Sequence, residues 1–124
     1  MKKSLKWTIG ILAIAALIFI FKVFTKESEP SPYDNFAKCL SEKGVKMYGA
    51  YWCPHCINQK EMFGSSWRYI TYVECSLPNG AGQTKECSDA GIKGYPTWEF
   101  SDGKRESGEI SFEKLSQYSG CKLG

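Results

Sequence analysis

The sequence is poor in histidine and methionine, two residue types that often bind metals. Its 124 residues include one histidine, His55, and three methionines, and neither residue type is clustered. Cys53 and Cys56 form a Cys-x-x-Cys pair, but the chain has no second pair at a similar spacing, as a four-cysteine zinc site requires. We therefore expect no metal and no bound cofactor, and a metal-carrying or metallochaperone domain stays only as an alternative.

An excess of positive charge is also absent from most of the chain. The net charge is +3, and five lysines with two glutamates among residues 1–29 account for all of it. The 11 basic and 11 acidic residues of the remaining chain cancel. This balance argues against the basic face on which nucleic-acid binding depends, so no nucleic-acid partner is expected.

One long apolar run stands near the N-terminus. Residues 5–24 carry only two charges, Lys6 and Lys22, which are near the ends of the run where lysine can extend towards water. Neither a small-x-small cleavage site nor a lipid-accepting cysteine follows the run. We expect an uncleaved signal anchor, a transmembrane helix over residues 1–24, rather than a cleaved signal peptide or a buried helix.

The charges around this run predict its orientation. Lysines on the N-terminal side favour a cytoplasmic N-terminus, although Lys22 and Lys26 on the far side weaken the bias. We expect a single-pass protein of the inner or plasma membrane whose C-terminal part faces the periplasm. Six cysteines fit such an oxidising compartment. Residues 25–32 are polar and predict a linker, followed by one domain over residues 33–124.

The patterning of residues 33–124 predicts an α/β domain in the order α-β-α-β-α-β-β-α. Apolar residues at i, i+3, i+4 and i+7 indicate the first helix, with Ser31 as its cap and Pro32 in its first turn. Asp102-Gly103 marks a two-residue hairpin, and strand-helix-strand implies a parallel crossover. The predicted helices cover 33–44, 54–64, 84–90 and 111–120, the last with Ser111 as its N-cap and Gly120 as its C-cap, and the predicted strands cover 45–50, 69–74, 97–101 and 104–108.

This order, with Trp-Cys-x-x-Cys after the first strand and Tyr95-Pro96-Thr97 before the hairpin, resembles the thioredoxin fold, a mixed sheet flanked by helices. Cys-Pro-His-Cys is similar to the motif of the oxidising periplasmic branch of that superfamily, and protein disulfide isomerase domains share part of the pattern. More specifically, the chain resembles the thioredoxin-like domain associated with bacterial homologues of vitamin K epoxide reductase. The residues that carry this resemblance are 46–56, 59–60, 63–64, 72–75, 87 and 95–99.

The Cys-x-x-Cys pair is the predicted catalytic centre of a thiol-disulfide oxidoreductase. Cys53 precedes a helix, whose dipole and free N–H groups favour a thiolate. Cys56, one turn on, is expected to resolve the mixed disulfide. His55 can stabilise the Cys53 thiolate, which makes the Cys53–Cys56 disulfide a stronger oxidant. The alternative is an inert disulfide in a structural receptor or assembly module.

Five further residues complete the predicted site. The resemblance implies a cis bond between Tyr95 and Pro96 that faces the cysteines, and a backbone edge there that pairs with substrate. Tyr51 and Trp52 flank the cysteines and offer an apolar docking surface, to which Pro54 and Tyr95 are assigned as well.

The other four cysteines are expected to form disulfides. Cys75 and Cys87 bracket a loop, so a structural disulfide is the default, with a redox relay or two free thiols as alternatives. Cys39 and Cys121 are left by elimination, and their pairing would close nearly the whole domain.

Two positions bear on the proton of Cys56. Many thioredoxins have a buried acid where this sequence has Met47, so that proton route is absent. Glu74 is the candidate substitute, although the sequence does not orient it.

The resemblance also implies substrates and a partner. The pair would promote disulfide formation in cysteine-containing exported proteins. A membrane partner of the vitamin K epoxide reductase type would reoxidise it, which links the pair indirectly to quinone. A reductase or isomerase, for example in cytochrome maturation, is the alternative, because the potential of the partner sets the direction.

Overall fold

The computed structural model describes residues 2–25 and 29–124. The apolar run forms helix α1, Lys2–Phe24, of which Lys3–Phe24 is long and apolar enough to cross a membrane. Part of the predicted linker, residues 26–28, lies outside the described residues. The element order predicted for residues 33–124 is confirmed.

A four-stranded mixed sheet forms the centre of the C-terminal part. The strands are β1 (Lys46–Gly49), β2 (Thr71–Glu74), β3 (Thr97–Glu99) and β4 (Arg105–Ser107), in the spatial order β2-β1-β3-β4. β1 is parallel to β2, whereas β3 is antiparallel to both β1 and β4. The predicted parallel crossover and antiparallel hairpin are therefore both confirmed. The helices that accompany the sheet are α2 (Asp34–Glu42), α3 (Pro54–Phe63), α4 (Lys85–Asp89) and α5 (Phe112–Ser119).

Aromatic side chains join these helices to the sheet. Phe63 at the end of α3 lies with its ring centroid 6.2 Å from that of Trp98 on β3 and 4.7 Å from that of Phe112 on α5. The ring of Phe36 on α2 stacks on the Phe63 ring, with a centroid distance of 6.3 Å. Phe63 thus contacts three elements, so its truncation to alanine would cost about 3–5 kcal/mol. This packing fixes α3, and with it the cysteines at the start of α3.

The predicted N-terminal cap of α2 is wrong. The helix begins at Asp34, and Tyr33 occupies the capping position without a side-chain hydrogen bond. The Asp34 carboxylate accepts instead from the Ser31 N–H at 3.2 Å and from the Ser66 hydroxyl at 2.7 Å. Ser31 and Pro32 therefore precede the helix. The Asp34 side chain reaches back and accepts the hydrogen bond of the Ser31 N–H.

Two local details of the other elements also differ. Phe100 N–H donates to the Lys104 carbonyl at 2.9 Å, which leaves three residues in the hairpin loop rather than two. Gly103 adopts φ 83°, a left-handed conformation that suits a three-residue loop. The strand predicted to begin at residue 69 begins at Thr71, because a 3-10 helix over Gly64–Tyr69 intervenes.

Two disulfides link parts of the chain that are distant in sequence. Cys39 on α2 is joined to Cys121 beyond α5, across 82 residues, with a Cα–Cα distance of 5.9 Å. Cys75 after β2 is joined to Cys87 on α4, with a Cα–Cα distance of 5.5 Å. Of these four, only Cys39 retains partial exposure. The disulfides hold the two ends of the C-terminal part and the loop next to β2.

Candidate active site

Cys53 is the N-cap residue of α3. The chain leaves β1 at Gly49, and Cys53 N–H donates to the Ala50 carbonyl at 3.0 Å, which closes a turn. Cys53 has an extended backbone (φ −75°, ψ 120°), and Pro54 occupies the first turn of the helix, where it needs no hydrogen-bond donor. The Cys53 thiol therefore stands at the positive end of the α3 dipole, where a thiolate is favoured.

Cys56 lies one turn further into α3 and is more enclosed. Both cysteines are free thiols, with 6% of Cys53 and 1% of Cys56 exposed. Burial raises the pKa of the Cys56 thiol to about 12, and the Ala50 backbone opposes this. The neighbouring Cys53 and the charge of Glu74 raise the Cys56 pKa further. Cys56 is consequently held as a thiol when the pair is reduced.

The loop before β3 faces the Cys53 thiol. The Tyr95–Pro96 peptide bond is cis, and Cys53 Sγ lies 3.7 Å from the Tyr95 carbonyl oxygen. The Tyr95 hydroxyl accepts from Gln83 Nε2 at 2.7 Å, which anchors the loop. The sequence-predicted Cys53, Tyr95 and Pro96 are thus brought together, with Pro96 fully buried.

An aromatic rim surrounds this thiol. Tyr51 and Trp52 are 51% and 52% exposed, and Pro54 is also exposed. The Trp52 ring meets that of Tyr95 edge-on at 6.1 Å, and its indole N–H donates to Ser76 Oγ at 2.8 Å. Trp52 is therefore oriented by the protein while most of its apolar face stays open to solvent. An extended peptide could pack on such a surface.

His55 lies on the exposed side of α3. Its Nδ1 is 3.5 Å from a carboxylate oxygen of Glu109. Among the described residues, no hydrogen bond joins His55 to Cys53, so any influence on the Cys53 thiolate acts through charge across the first helical turn. The predicted role of His55 stays a prediction.

A second polar group, missed in part by sequence reasoning, lies beside Cys56. The Glu74 carboxylate accepts from the Tyr72 hydroxyl at 2.5 Å and from the Tyr51 and Ser76 backbone N–H groups at 3.1 and 3.0 Å. The sequence indicates Glu74 as a candidate proton acceptor but not the orientation of its side chain, and it does not indicate a role for Tyr72. The period of two along a strand is the signal that could have paired them.

Gly49 permits this group to approach the cysteines. A Cβ atom added there would lie 2.9 Å from the Tyr72 ring and 3.0 Å from Cys56 Sγ. Any side chain at position 49 would therefore separate Tyr72 from Cys56. Within residues 2–25 and 29–124, no group of three or more His, Cys, Asp or Glu side chains could hold a metal ion.

Similarity to a known protein agrees with a redox site. No family model matches the chain. Thiol-disulfide oxidoreductase LTO1 of Arabidopsis thaliana is 46% identical to it over 101 residues, which cover 77% of this chain. The similarity supports a thiol-disulfide oxidoreductase. The chain spans 27% of that protein's length, so the likeness concerns one part of the relative.

Proposed function

We propose that this protein is a membrane-anchored, extracytoplasmic thiol-disulfide oxidoreductase with a thioredoxin fold. The observation that carries the proposal is the position of Cys53, which caps α3 and faces the Tyr95 carbonyl at 3.7 Å, with Cys56 buried one turn behind it. In this arrangement Cys53 is the nucleophilic thiolate, and Cys56 is the thiol that resolves the mixed disulfide. The similarity to a thiol-disulfide oxidoreductase supports the same chemistry.

In the oxidising direction, a substrate thiolate attacks the Cys53 sulfur of a Cys53–Cys56 disulfide. The bond between the two cysteines breaks, its electron pair leaves with Cys56, and a mixed disulfide joins the substrate to Cys53. A second substrate thiolate attacks the substrate sulfur of the mixed disulfide, and Cys53 leaves as a thiolate. Two electrons have then passed from the substrate to the cysteine pair.

We further propose that the substrates are cysteine-containing exported proteins and that a vitamin K epoxide reductase-like membrane protein reoxidises the pair, with quinone as the eventual acceptor. The resemblance of the Cys-Pro-His-Cys region supports this direction. The exposed rim of Tyr51, Trp52 and Pro54 supplies an apolar surface on which an unfolded substrate or the membrane partner docks. The same geometry serves a reductase or isomerase when the partner has a lower potential.

Helix α1 supports the membrane anchor. Its large apolar side chains, among them Trp7, Leu12, Phe19 and Phe24, are more than half exposed. A helix that is apolar on all sides suits lipid rather than water. We propose residues 1–24 as the anchor, 25–32 as a linker and 33–124 as the catalytic domain, with the N-terminus cytoplasmic.

Two measurements on the full chain in detergent test the proposal. The reduction potential of the Cys53–Cys56 pair, equilibrated against glutathione, is expected towards the oxidising end of the thioredoxin-like range, and a value near about −270 mV would contradict the oxidising direction. The Cys56→Ser variant should accumulate mixed disulfides with exported proteins, whereas its matched control Cys53→Ser should accumulate none. Absence of mixed disulfides from Cys56→Ser would overturn the exchange mechanism.

A further inference from the structure

Cys56 has no direct route to water for its proton. Its side chain is 1% exposed, and Met47 on the neighbouring strand is fully buried and apolar. In the proposed function, on which this inference rests, Cys56 must alternate between a thiol and an attacking or leaving thiolate. A thiol in such a position needs a protein group that takes up and returns its proton.

The hydroxyl of Tyr72 lies near the Cys56 thiol. A Cβ atom added to Gly49 would lie 3.0 Å from Cys56 Sγ and 3.3 Å from Tyr72 Oη. Both atoms therefore border the space that the glycine leaves open, and among the described residues no hydrogen bond joins them directly. A proton can pass between the thiol and the phenol through one bridging water molecule.

Glu74 connects the Tyr72 hydroxyl to solvent. Its carboxylate accepts from Tyr72 Oη at 2.5 Å. Its other oxygen is held by the Tyr51 and Ser76 N–H groups, which fix the orientation of the side chain. Glu74 is half-buried rather than enclosed, so the carboxylate can exchange protons with water.

The remaining charged and titratable neighbours do not offer a competing proton acceptor. Cys53 is the reaction partner of Cys56, and from α3 the ammonium of Lys60 lies 5.3 Å above the Tyr72 ring. Burial, with the hydrogen bond to Glu74 next, raises the pKa of Tyr72 well above its usual range. Tyr72 is therefore a neutral phenol that relays a proton without remaining ionised.

We propose that Glu74 is the proton acceptor and donor for Cys56 and acts through the Tyr72 hydroxyl. When Cys56 attacks a mixed disulfide on Cys53, its proton passes through a bridging water molecule to Tyr72 Oη while the phenolic proton passes to Glu74. The new S–S bond forms between the two cysteines, and the substrate leaves as a thiolate with the electron pair. When Cys56 is the leaving group, a proton taken up from water by Glu74 travels the same path in reverse.

Two variants of the full chain in detergent separate proton transfer from structure. Glu74→Gln keeps an oxygen for the Tyr51 and Ser76 N–H groups but accepts no proton. Tyr72→Phe removes the relay and leaves the carboxylate in place. Tyr33→Phe is the matched control, because Tyr33 packs against α5 away from the cysteines.

The measured quantity is the first-order rate at which Cys56 resolves the Cys53–glutathione mixed disulfide, followed by tryptophan fluorescence after mixing reduced protein with excess oxidised glutathione. In the wild type we expect this rate to change little between about pH 6 and 8, because a carboxylate takes the proton. In Glu74→Gln and Tyr72→Phe it should rise about tenfold per pH unit, because hydroxide must take the proton, and should be at least about tenfold lower than wild type at pH 6. Tyr33→Phe should match the wild type.

The first attack on oxidised glutathione, measured in a Cys56→Ser background, distinguishes a structural role. Glu74→Gln should leave that rate unchanged, since the step does not use Cys56. Equal slowing of both steps, or variant pH profiles parallel to the wild type, would overturn the inference while leaving the proposed function intact. A wild-type chain that exchanges no disulfide with glutathione would overturn both.

Discussion

The Cys53–Cys56 pair and the Cys75–Cys87 pair are nearly equal in burial but different in surroundings. Cys53 and Cys56 are 6% and 1% exposed, and Cys75 and Cys87 are fully enclosed. Cys53, however, caps a helix and lies under an exposed aromatic rim, whereas Cys75 lies at the end of a strand and Cys87 inside a short helix. Backbone position and access for a partner, rather than average exposure, therefore distinguish a reactive cysteine from a structural one.

Removal of Cys53 should have the largest effect on disulfide exchange, and removal of Cys75 and Cys87 should have little. Cys53→Ser is expected to abolish disulfide exchange, because no other free thiol in the described residues caps a helix. The double variant Cys75→Ser, Cys87→Ser should retain exchange at a temperature where it is folded. Oxidation of a two-cysteine peptide by each variant measures the effect. Loss of exchange in the double variant with its fold intact would show that Cys75 and Cys87 relay electrons.

Removal of the long disulfide should affect stability instead of chemistry. The variant Cys39→Ser, Cys121→Ser loses a link across 82 residues, and we expect unfolding to become easier by about 2–5 kcal/mol. Denaturant unfolding of the variant and the wild type, both in the same detergent, gives this value. An unchanged unfolding midpoint would contradict this, because it would mean that the disulfide adds no stability to the folded domain.

The pH dependence of stability should differ between the two redox forms. The pKa of Cys56 is about 12 in the folded reduced protein, against 9.0 for an ordinary thiol. Because the folded pKa is raised, this contribution to stability is complete below about pH 9 and is lost as the pH rises towards 12. The reduced form should therefore lose more stability than the oxidised form over that range, since the oxidised form has no Cys56 thiol. Parallel unfolding curves for the two forms would contradict this.

The smallest expected effect is that of His55. Its imidazole is mostly exposed and lies 3.5 Å from a Glu109 carboxylate oxygen, so solvent screens its interaction with Cys53. His55→Ala should lower the reduction potential by tens of millivolts, because the Cys53 thiolate loses a stabilising neighbour. Glutathione equilibration measures the shift, with Glu109→Gln as the control for the ion pair. A higher reduction potential in His55→Ala would contradict the prediction that the imidazole stabilises the Cys53 thiolate.

Much of the fold follows from local patterns in the sequence. Apolar residues at helical spacing predict α2, and Phe36, Ala37 and Leu40 are indeed buried. Ser111 caps α5 through a hydrogen bond from Lys114 N–H. The cap of α2 could not be predicted, because Asp34 is engaged by Ser66, which is 32 residues away.

Local sequence is enough to predict the Cys-x-x-Cys pair, the helix that follows it and the apolar run at the N-terminus. These features depend on neighbouring residues alone, through spacing, helix capping and continuous hydrophobicity. The side chains that surround Cys56, in contrast, are brought there by the packing of distant segments. Parallel pairing of β1 with β2 sets Gly49 opposite Glu74, and the missing side chain of that glycine admits Tyr72 beside the thiol. The surroundings of the redox pair therefore depend on strand register, which no local pattern specifies.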